Sequence, residues 1–215
     1  LTKRMFEGIF ILEGGSEHFA YKNRESIKLG AKISNFGYKS ADVRVRFRIK
    51  GDNTAIFNKT IDTSIPSGKI RNIEYDYCPA ELKKDVYEVE TELYRKNLVI
   101  DTISHEIQRI PVWKEEIKED FVRVKDGDFW IKDEKWHPIG TNYWPRNIIV
   151  LQPAEKKWLA VNKYDPDIVE ADLKIQKSLG FTMVSIWLGF SMWDWDDYDY
   201  NLKFYRNVED FILRC

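Results

Sequence analysis

The sequence of 215 residues has few of the residue types that would commit it to disulfide, metal or redox chemistry. It contains two cysteines, Cys78 and Cys215, and three histidines. Two cysteines are too few for a disulfide framework, and neither has a second Cys or a His at the spacing of a zinc site. We therefore expect free thiols, no bound metal and no cofactor.

Long apolar runs and an excess of one charge are also missing. No apolar stretch approaches the roughly 20 residues that cross a bilayer, and 34 basic against 35 acidic residues leave a net charge of −1. We therefore expect neither nucleic acid nor a membrane as a partner, and a substrate with little or no charge. The chain begins at Leu1 rather than Met, so we interpret it as part of a longer or processed protein, and its compartment stays open.

Tryptophan is missing from the first half and abundant in the second. All eight lie at positions 113, 130, 136, 144, 158, 187, 193 and 195. Charge changes at the same place, because residues 1–112 carry 19 basic and 16 acidic groups whereas residues 113–215 carry 15 and 19. These shifts predict a domain boundary at 110–113, after a first domain at 1–112. The patterns described below divide the rest into a linker and hairpin at 113–136 and a second domain at 137–215. The charged run 114–120 is typical of a solvated linker.

The first domain has the alternating pattern of an all-β fold. Between Val43 and Ile49, apolar residues alternate with Arg44, Arg46 and Arg48, as in a strand with one buried and one wet face. The arginines have no interleaved aromatic residues, which favours a solvated face or a domain contact over a nucleic-acid site. With one strand before residue 25, the pattern predicts about seven strands in an antiparallel sandwich, the others at 27–33, 43–49, 55–61, 70–77, 86–94 and 98–110.

The segment from Asp85 to Val89 narrows this expectation. Tyr87 stands two residues before the inward-facing Val89, which is the spacing of an immunoglobulin tyrosine corner with valine in the place of cysteine. The first domain therefore resembles a disulfide-free immunoglobulin-like sandwich.

The second domain begins with strand and turn signals. Residues 121–131 are typical of a hairpin around Asp126-Gly127-Asp128, a favoured tight-turn composition. A brief apolar strand is predicted at 138–145, and the apolar run 181–188 predicts a strand buried on both faces.

Two helices are predicted between and after these strands. Asp165 as N-cap and Pro166 in the first turn begin one helix, which Gly180 ends; the other follows Asn201. We expect them to pack through two apolar stripes, Ile168, Ala171, Ile175 and Leu179 in the first helix and Leu202, Tyr205, Val208, Ile212 and Cys215 in the second. The order strand, helix, strand, helix is that of an α/β fold.

Three segments of this domain resemble a known enzyme family. They are WHPIGTNYWP at 136–145, DPDIVEADLKIQKSLGFTMVSIW at 165–187 and NLKFYRNVEDFILRC at 201–215. In this order they resemble the opening of the catalytic barrel of the retaining glycoside hydrolases that include β-galactosidases, β-mannosidases and cellulases. The resemblance implies a mixed fold, an immunoglobulin-like sandwich followed by the first two βα units of an incomplete (β/α)8 TIM barrel, with the 113–136 hairpin at the barrel floor.

The resemblance also implies where the chemistry lies. Retaining hydrolysis needs two carboxylates about 5–5.5 Å apart, which in these enzymes stand on barrel strands that would lie beyond Cys215. We therefore expect no catalytic residue within this chain and no turnover by it alone. The chain also departs from the family pattern, because Thr182 and Ser185 stand where members often have Asn and Arg.

The implied barrel places a sugar site at the carboxyl ends of its strands. Asn142, Tyr143 and Trp144 after the first strand and Trp187 after the second would line it, because aromatic faces suit sugar rings. The alternative for the aromatic rings is core packing.

An acidic and aromatic segment at 193–201 gives two further candidates, Trp193 and Asp194. It could contact a sugar, hold calcium or form a solvated loop with helix-capping acids, and its spacing fails the EF-hand pattern. The carbohydrate substrate and the rest of the barrel are the expected partners. The alternative function is a non-catalytic carbohydrate-binding or structural interaction module.

Overall fold

The computed structural model of the chain describes residues 8–111, 121–147, 158–160, 163–188, 193–194 and 199–215. The linker segment 114–120 and residues 195–198 of the acidic and aromatic segment lie outside the described residues. The chain forms two compact units, Leu1–Ile110 and Pro111–Cys215. Within the described residues, neither helix has the length and apolar character that crossing a bilayer requires.

The first unit is a β-sandwich of eight strands. They are β1 (Ile9–Ser16), β2 (Ala20–Lys22), β3 (Ile27–Asn35), β4 (Ala41–Gly51), β5 (Thr54–Ile65), β6 (Lys69–Tyr77), β7 (Val86–Arg95) and β8 (Leu98–Ile110). One sheet has the order β1-β3-β6 and the other the order β2-β8-β7-β4-β5. Alternate residues of both sheets point into one apolar core, in which Leu29, Phe47 and Leu93 are fully buried.

The start of the sandwich differs from the sequence prediction. The single strand expected before residue 25 is two strands, because the chain leaves one sheet after β1 and joins the other as β2. β2 pairs with β8 in parallel, so the sandwich is not wholly antiparallel. Tyr87 accepts a hydrogen bond at its hydroxyl from the backbone N–H of Lys84, at 2.8 Å, which is the contact of a tyrosine corner. The immunoglobulin-like class stays a prediction.

The second unit has seven short strands and two helices among its described residues. The strands are β9 (Arg123–Lys125), β10 (Asp128–Ile131), β11 (Glu134–Lys135), β12 (Gly140–Asn142), β13 (Met183–Ser185), β14 (Trp193–Asp194) and β15 (Asp199–Tyr200); the helices are α1 (Pro166–Ser178) and α2 (Leu202–Arg214). The predicted hairpin is present as β9 and β10, joined by Asp126 and Gly127, which both have positive φ.

The mixed fold that the sequence predicted is wrong. The described residues are mostly strand, and their two helices have 13 residues each. A barrel needs successive parallel strands in one sheet, whereas the second unit has separate sheets of three, two and two strands, of which only β12–β13 is parallel. The first βα units of a TIM barrel are therefore not what these residues form.

The packed faces of the helices also differ from the prediction. Asp165 is the N-cap of α1, as expected, and α2 begins after Asn201, as expected, with Asn201 as its N-cap. However, Ile175, Leu179 and Ile212 of the predicted stripes are exposed. The buried positions are instead Pro166, Val169 and Asp172 in α1 and Phe204, Arg206, Asn207, Asp210 and Phe211 in α2. The buried faces carry polar residues, which hydrophobic periodicity cannot detect.

Candidate functional site

The parallel pair β12–β13 sets the geometry of the candidate site. Thr141 lies opposite Val184 and Asn142 opposite Ser185, and the Tyr143 N–H donates to the Ser185 carbonyl at 2.8 Å. The strands approach closely at Gly140, where a Cβ would lie 2.3 Å from the Met183 carbonyl oxygen. Because the strands are parallel, the residues that follow their carboxyl ends lie at the same end of the sheet. We call this end the β12–β13 edge.

This edge brings together four of the residues predicted to bind a sugar. Asn142 ends β12, Tyr143 and Trp144 follow it, and Trp187 follows β13. Asn142 is exposed and Trp144 is half-buried, while the Trp187 side chain is 59% exposed. A hydrogen-bonding amide and a flat apolar ring are thus open to solvent at one edge. Their role in substrate binding stays a prediction.

Tyr143 lies in a buried aromatic cluster. It is only 2% exposed, its ring stacks on Phe211 with centroids 5.8 Å apart, and it meets Trp158 edge to face at 5.6 Å. Its hydroxyl donates to Asp172 Oδ2 at 3.2 Å. Burial, followed by the charge of Asp172, raises the pKa of Tyr143 well above its usual range, so the phenol stays a proton donor. The ring has no exposed face to offer a ligand in this arrangement.

Asp172 holds the segment that leaves β12, and sequence reasoning missed it. Besides the Tyr143 hydroxyl, its Oδ2 accepts the backbone N–H of Arg146 at 3.1 Å, and its Oδ1 pairs with Arg146 Nε at 3.3 Å. One buried carboxylate of α1 therefore fixes both ends of the stretch that carries Trp144. The only signal in the sequence was that an acidic residue follows Val169 by three positions, which places both on one face of α1.

A second buried acid, Asp210 of α2, has an equivalent role. It accepts from the Tyr164 hydroxyl and binds the Arg214 guanidinium in a bidentate manner, at 2.7 and 3.2 Å. Arg214 also reaches Glu170 of α1 at 3.4 Å. Burial alone would lower the pKa of Arg214, but the hydrogen bonds and charge of Asp210 raise it above its usual range. Arg214 therefore stays charged.

The remaining candidates belong to a different sheet. Trp193 and Asp194 form β14, which pairs with Tyr200 and Asp199 of β15 in a sheet of its own. The structure therefore does not pair these two residues with β12 or β13. Within the described residues, no cluster of His, Cys, Asp and Glu could hold a metal ion.

The Thr182 side chain has a defined hydrogen-bond partner. Thr182 uses its hydroxyl to accept the Ile139 N–H at 3.1 Å, next to β12.

The arginines Arg44, Arg46 and Arg48 form ion pairs with Asp62, Glu92 and Glu90 of the neighbouring strands. The positive charge of these arginines is therefore neutralised within the sheet.

Comparisons with known proteins add a coarse likeness. No protein-family model matches the chain, and no curated protein matches it. Similar solved structures include Bacteroides uniformis β-glucuronidase (16% identity, TM-score 0.42, 83% of this chain and 20% of that one). A β-glucuronidase from glycoside hydrolase family 2 gives 18% identity and a TM-score of 0.39, over 65% of this chain and 16% of that one.

Other similar structures are not named as glycoside hydrolases. The C-terminal domain of wzt is 13% identical with a TM-score of 0.42, over 49% of this chain and 75% of that domain. Glycoside hydrolases are thus among the structures to which the chain is similar, and the chain spans a fifth or less of the two glucuronidases. Because all these TM-scores are low, the likenesses carry no argument about fold or activity.

Proposed function

We propose that the chain is part of a glycoside hydrolase acting on O-glycosidic bonds of oligo- or polysaccharides, with its catalytic carboxylates outside these 215 residues. The observation that carries the proposal is the edge where Asn142 and Trp187 are exposed together. A sugar presents C–H groups on the faces of its ring and hydroxyls around it, so an indole face and an amide are suitable partners.

In this proposal the chain binds and orients substrate rather than reacting with it. Trp187 would stack on the sugar ring, and Asn142 would hydrogen-bond a hydroxyl. The acid–base residue and the nucleophile of a retaining double displacement would come from elsewhere in the protein. The buried acids Asp172 and Asp210 are unsuited to these roles because tyrosine and arginine partners occupy their oxygens.

Binding and cleavage can be tested separately. We expect the 215-residue chain to release no product from chromogenic β-galactosides, β-glucuronides or β-mannosides, and a longer protein that contains it to hydrolyse at least one. Turnover by this chain alone would contradict the absence of catalytic residues. In calorimetric titrations with the oligosaccharide that is cleaved, Trp187→Ala should weaken binding about five- to tenfold.

The matched control for this variant is Trp130→Ala. Trp130 lies in β10, in the three-stranded sheet, where Lys125 and Lys135 contact its ring. Removing it also deletes one indole, but it should leave the affinity for the sugar unchanged. Equal losses in both variants would contradict a site at the β12–β13 edge.

A non-catalytic carbohydrate-binding protein is the second candidate. It is favoured by the exposed Asn142 and Trp187 at the β12–β13 edge, because an amide and an indole can bind a sugar without supplying a catalytic carboxylate. A longer protein that binds oligosaccharides without cleaving any of them would support this second candidate over the first.

A further inference from the structure

The sandwich has an open depression on the outer face of its five-stranded sheet. Its volume is about 440 Å³, within the range of about 300–1,000 Å³ that small-molecule sites occupy. Its lining includes Asp42, Arg44, Asp62, Tyr94, Lys96 and Asn97. It is centred on one cross-strand row, because Arg44 of β4 lies opposite Asp62 of β5 on one side and Tyr94 of β7 on the other.

The Tyr94 ring is a fixed aromatic surface in this depression. The Arg46 guanidinium lies 4.9 Å from the ring centroid, and the Tyr94 hydroxyl donates to Glu92 Oε2 at 3.3 Å. Glu92 is itself buried and pairs with Arg46 and Arg48. A ligand that contacts the ring therefore meets a group that is already ordered, which lowers the entropic cost of binding.

Among the described residues, some polar side chains around Tyr94 have a hydrogen-bond or ion-pair partner and others do not. Arg44 is occupied, because its Nε donates to Asp62 at 2.8 Å. Asp42, Lys96 and Asn97 are exposed, and no hydrogen bond or ion pair joins their side chains to another described residue. Two acids and two bases line the depression, so it has no net charge. A carboxylate, an ammonium and an amide around a neutral site suit a ligand rich in hydroxyl groups.

The turn that carries Lys96 departs from ordinary turn chemistry. Lys96 and Asn97 join β7 to β8 with φ of 49° and 63°, and a turn with two positive φ values favours Asn-Gly or Gly-Gly. A lysine in this conformation is strained. Local backbone preference therefore does not favour lysine at this position, and replacing it with glycine should relieve the turn.

We propose that this depression binds a neutral sugar ring, which stacks on Tyr94 and is hydrogen-bonded by Asp42, Lys96 and Asn97. The site lies on the sandwich and does not depend on the hydrolase proposal, because it needs neither the β12–β13 edge nor a catalytic carboxylate. It would hold part of a glycan without cleaving it.

The test is a titration of the ¹⁵N-labelled chain with methyl β-D-glucopyranoside and methyl β-D-galactopyranoside, followed by amide chemical shifts. Within the sandwich, we expect saturable shifts only at residues 42–44, 62–63 and 94–97, with a dissociation constant of the order of 1–10 mM for at least one glycoside. No saturable shift at about 100 mM of either glycoside, or the same shifts with glycerol, would overturn the proposal.

Two variants separate binding from folding. Tyr94→Ala should weaken binding about tenfold. Lys96→Gly removes a proposed contact and also relieves the strained turn, so the thermal midpoint should stay or rise while affinity falls about threefold or more. Unchanged affinity in Lys96→Gly would contradict the role of Lys96, and unchanged affinity in a folded Tyr94→Ala would overturn the site.

The chain offers a matched control for the turn. Asp52 has the equivalent position in the β4–β5 hairpin, with φ of 49° followed by Asn53 at 64°. It lies at the opposite end of β4 from Asp42, about 30 Å away at the rise of a strand. Asp52→Gly should relieve a strain of the same kind, with the loss of the exposed Asp52–Lys84 ion pair, and leave sugar affinity unchanged. A loss of affinity equal to that of Lys96→Gly would contradict a local binding site.

Discussion

The sandwich and the second unit satisfy their buried groups by different means. In the sandwich, the strand ladders pair the backbone, so the core between the sheets can be almost wholly apolar. In the second unit, the residues between β12 and α1 are not in strands or helices where the structure describes them, and their polar groups need other partners. α1 and α2 supply these from side chains: Asp172 accepts the Arg146 N–H, and Asn207 donates to the Leu159 carbonyl.

This contrast predicts different vulnerabilities. The sandwich should be most sensitive to lost apolar volume, and the second unit to lost charge or hydrogen-bond partners. The unfolding of the two units can be followed separately, because all eight tryptophans follow position 112. Indole fluorescence therefore reports on the second unit, whereas far-UV circular dichroism reports mainly on the strands of the sandwich.

The largest effect is expected from Phe47→Ala. Phe47 lies in the middle of β4 and is fully buried in the sandwich core, so the variant should lose about 3–5 kcal/mol of the free energy of unfolding through the cavity it creates. We expect the circular dichroism transition to move to lower denaturant and the fluorescence transition to move less. Phe47→Leu, which keeps most of the volume, is the control and should lose less. Equal shifts of the two signals would show that the units unfold as one.

The second-largest loss of stability is expected in the second unit. Asp210→Asn removes the counter-charge of Arg214, whose side chain is only 3% exposed, and should cost about 3 kcal/mol in the transition followed by fluorescence. Asp167→Asn, the same change at an exposed position in the first turn of α1, should cost less than about 1 kcal/mol. A loss below about 1 kcal/mol for Asp210→Asn would contradict the role assigned to buried polar pairs.

The same contrast explains how far the sequence predicts the structure. In the sandwich, period-2 alternation is a direct signal, and Val43, Val45, Phe47 and Ile49 are buried as it predicts. In the second unit, the helix starts at Asp165 and Asn201 are correct because capping is local. The packed faces predicted for the helices are wrong, because Asp172 and Asp210 are buried through partners distant in sequence. For the candidate site, Asn142 and Trp187 could be placed at one edge from sequence, but Asp172 could not.

One polar side chain of the sandwich, His105, gives a pH test. His105 of β8 lies 2.8 Å from Ser16 Oγ and packs edge to face on Phe19, and burial lowers its pKa to about 4. In the unfolded chain, a histidine has a pKa near 6.5. As the pH falls, the unfolded chain therefore protonates His105 before the folded chain does. The contribution of His105 is complete above about pH 6.5 and is lost as the pH falls toward about 4, by up to roughly 2–3 kcal/mol.

Unfolding at a series of pH values measures this contribution. His105→Gln should have a flatter stability profile between about pH 6.5 and 4 than the parent chain, and the carboxylates common to both cancel in the comparison. His137→Gln, at an exposed position of the second unit, should keep the parent profile. A parallel profile for His105→Gln would contradict the burial of a neutral imidazole.

The smallest effect concerns the helix ends of the second unit, where side chains again satisfy the backbone. The Asp165 carboxylate accepts the N–H groups of Asp167 and Ile168 at 3.1 and 3.2 Å, so Asp165→Ala should cost about 1 kcal/mol in the fluorescence transition. Asp165→Asn keeps an acceptor and loses only the charge, so it should cost a few tenths of a kcal/mol. If Asp165→Ala costs no more than Asp165→Asn, hydrogen bonding by the cap is unimportant. The dependence of this unit on side-chain partners would then be confined to the buried acids of its helices.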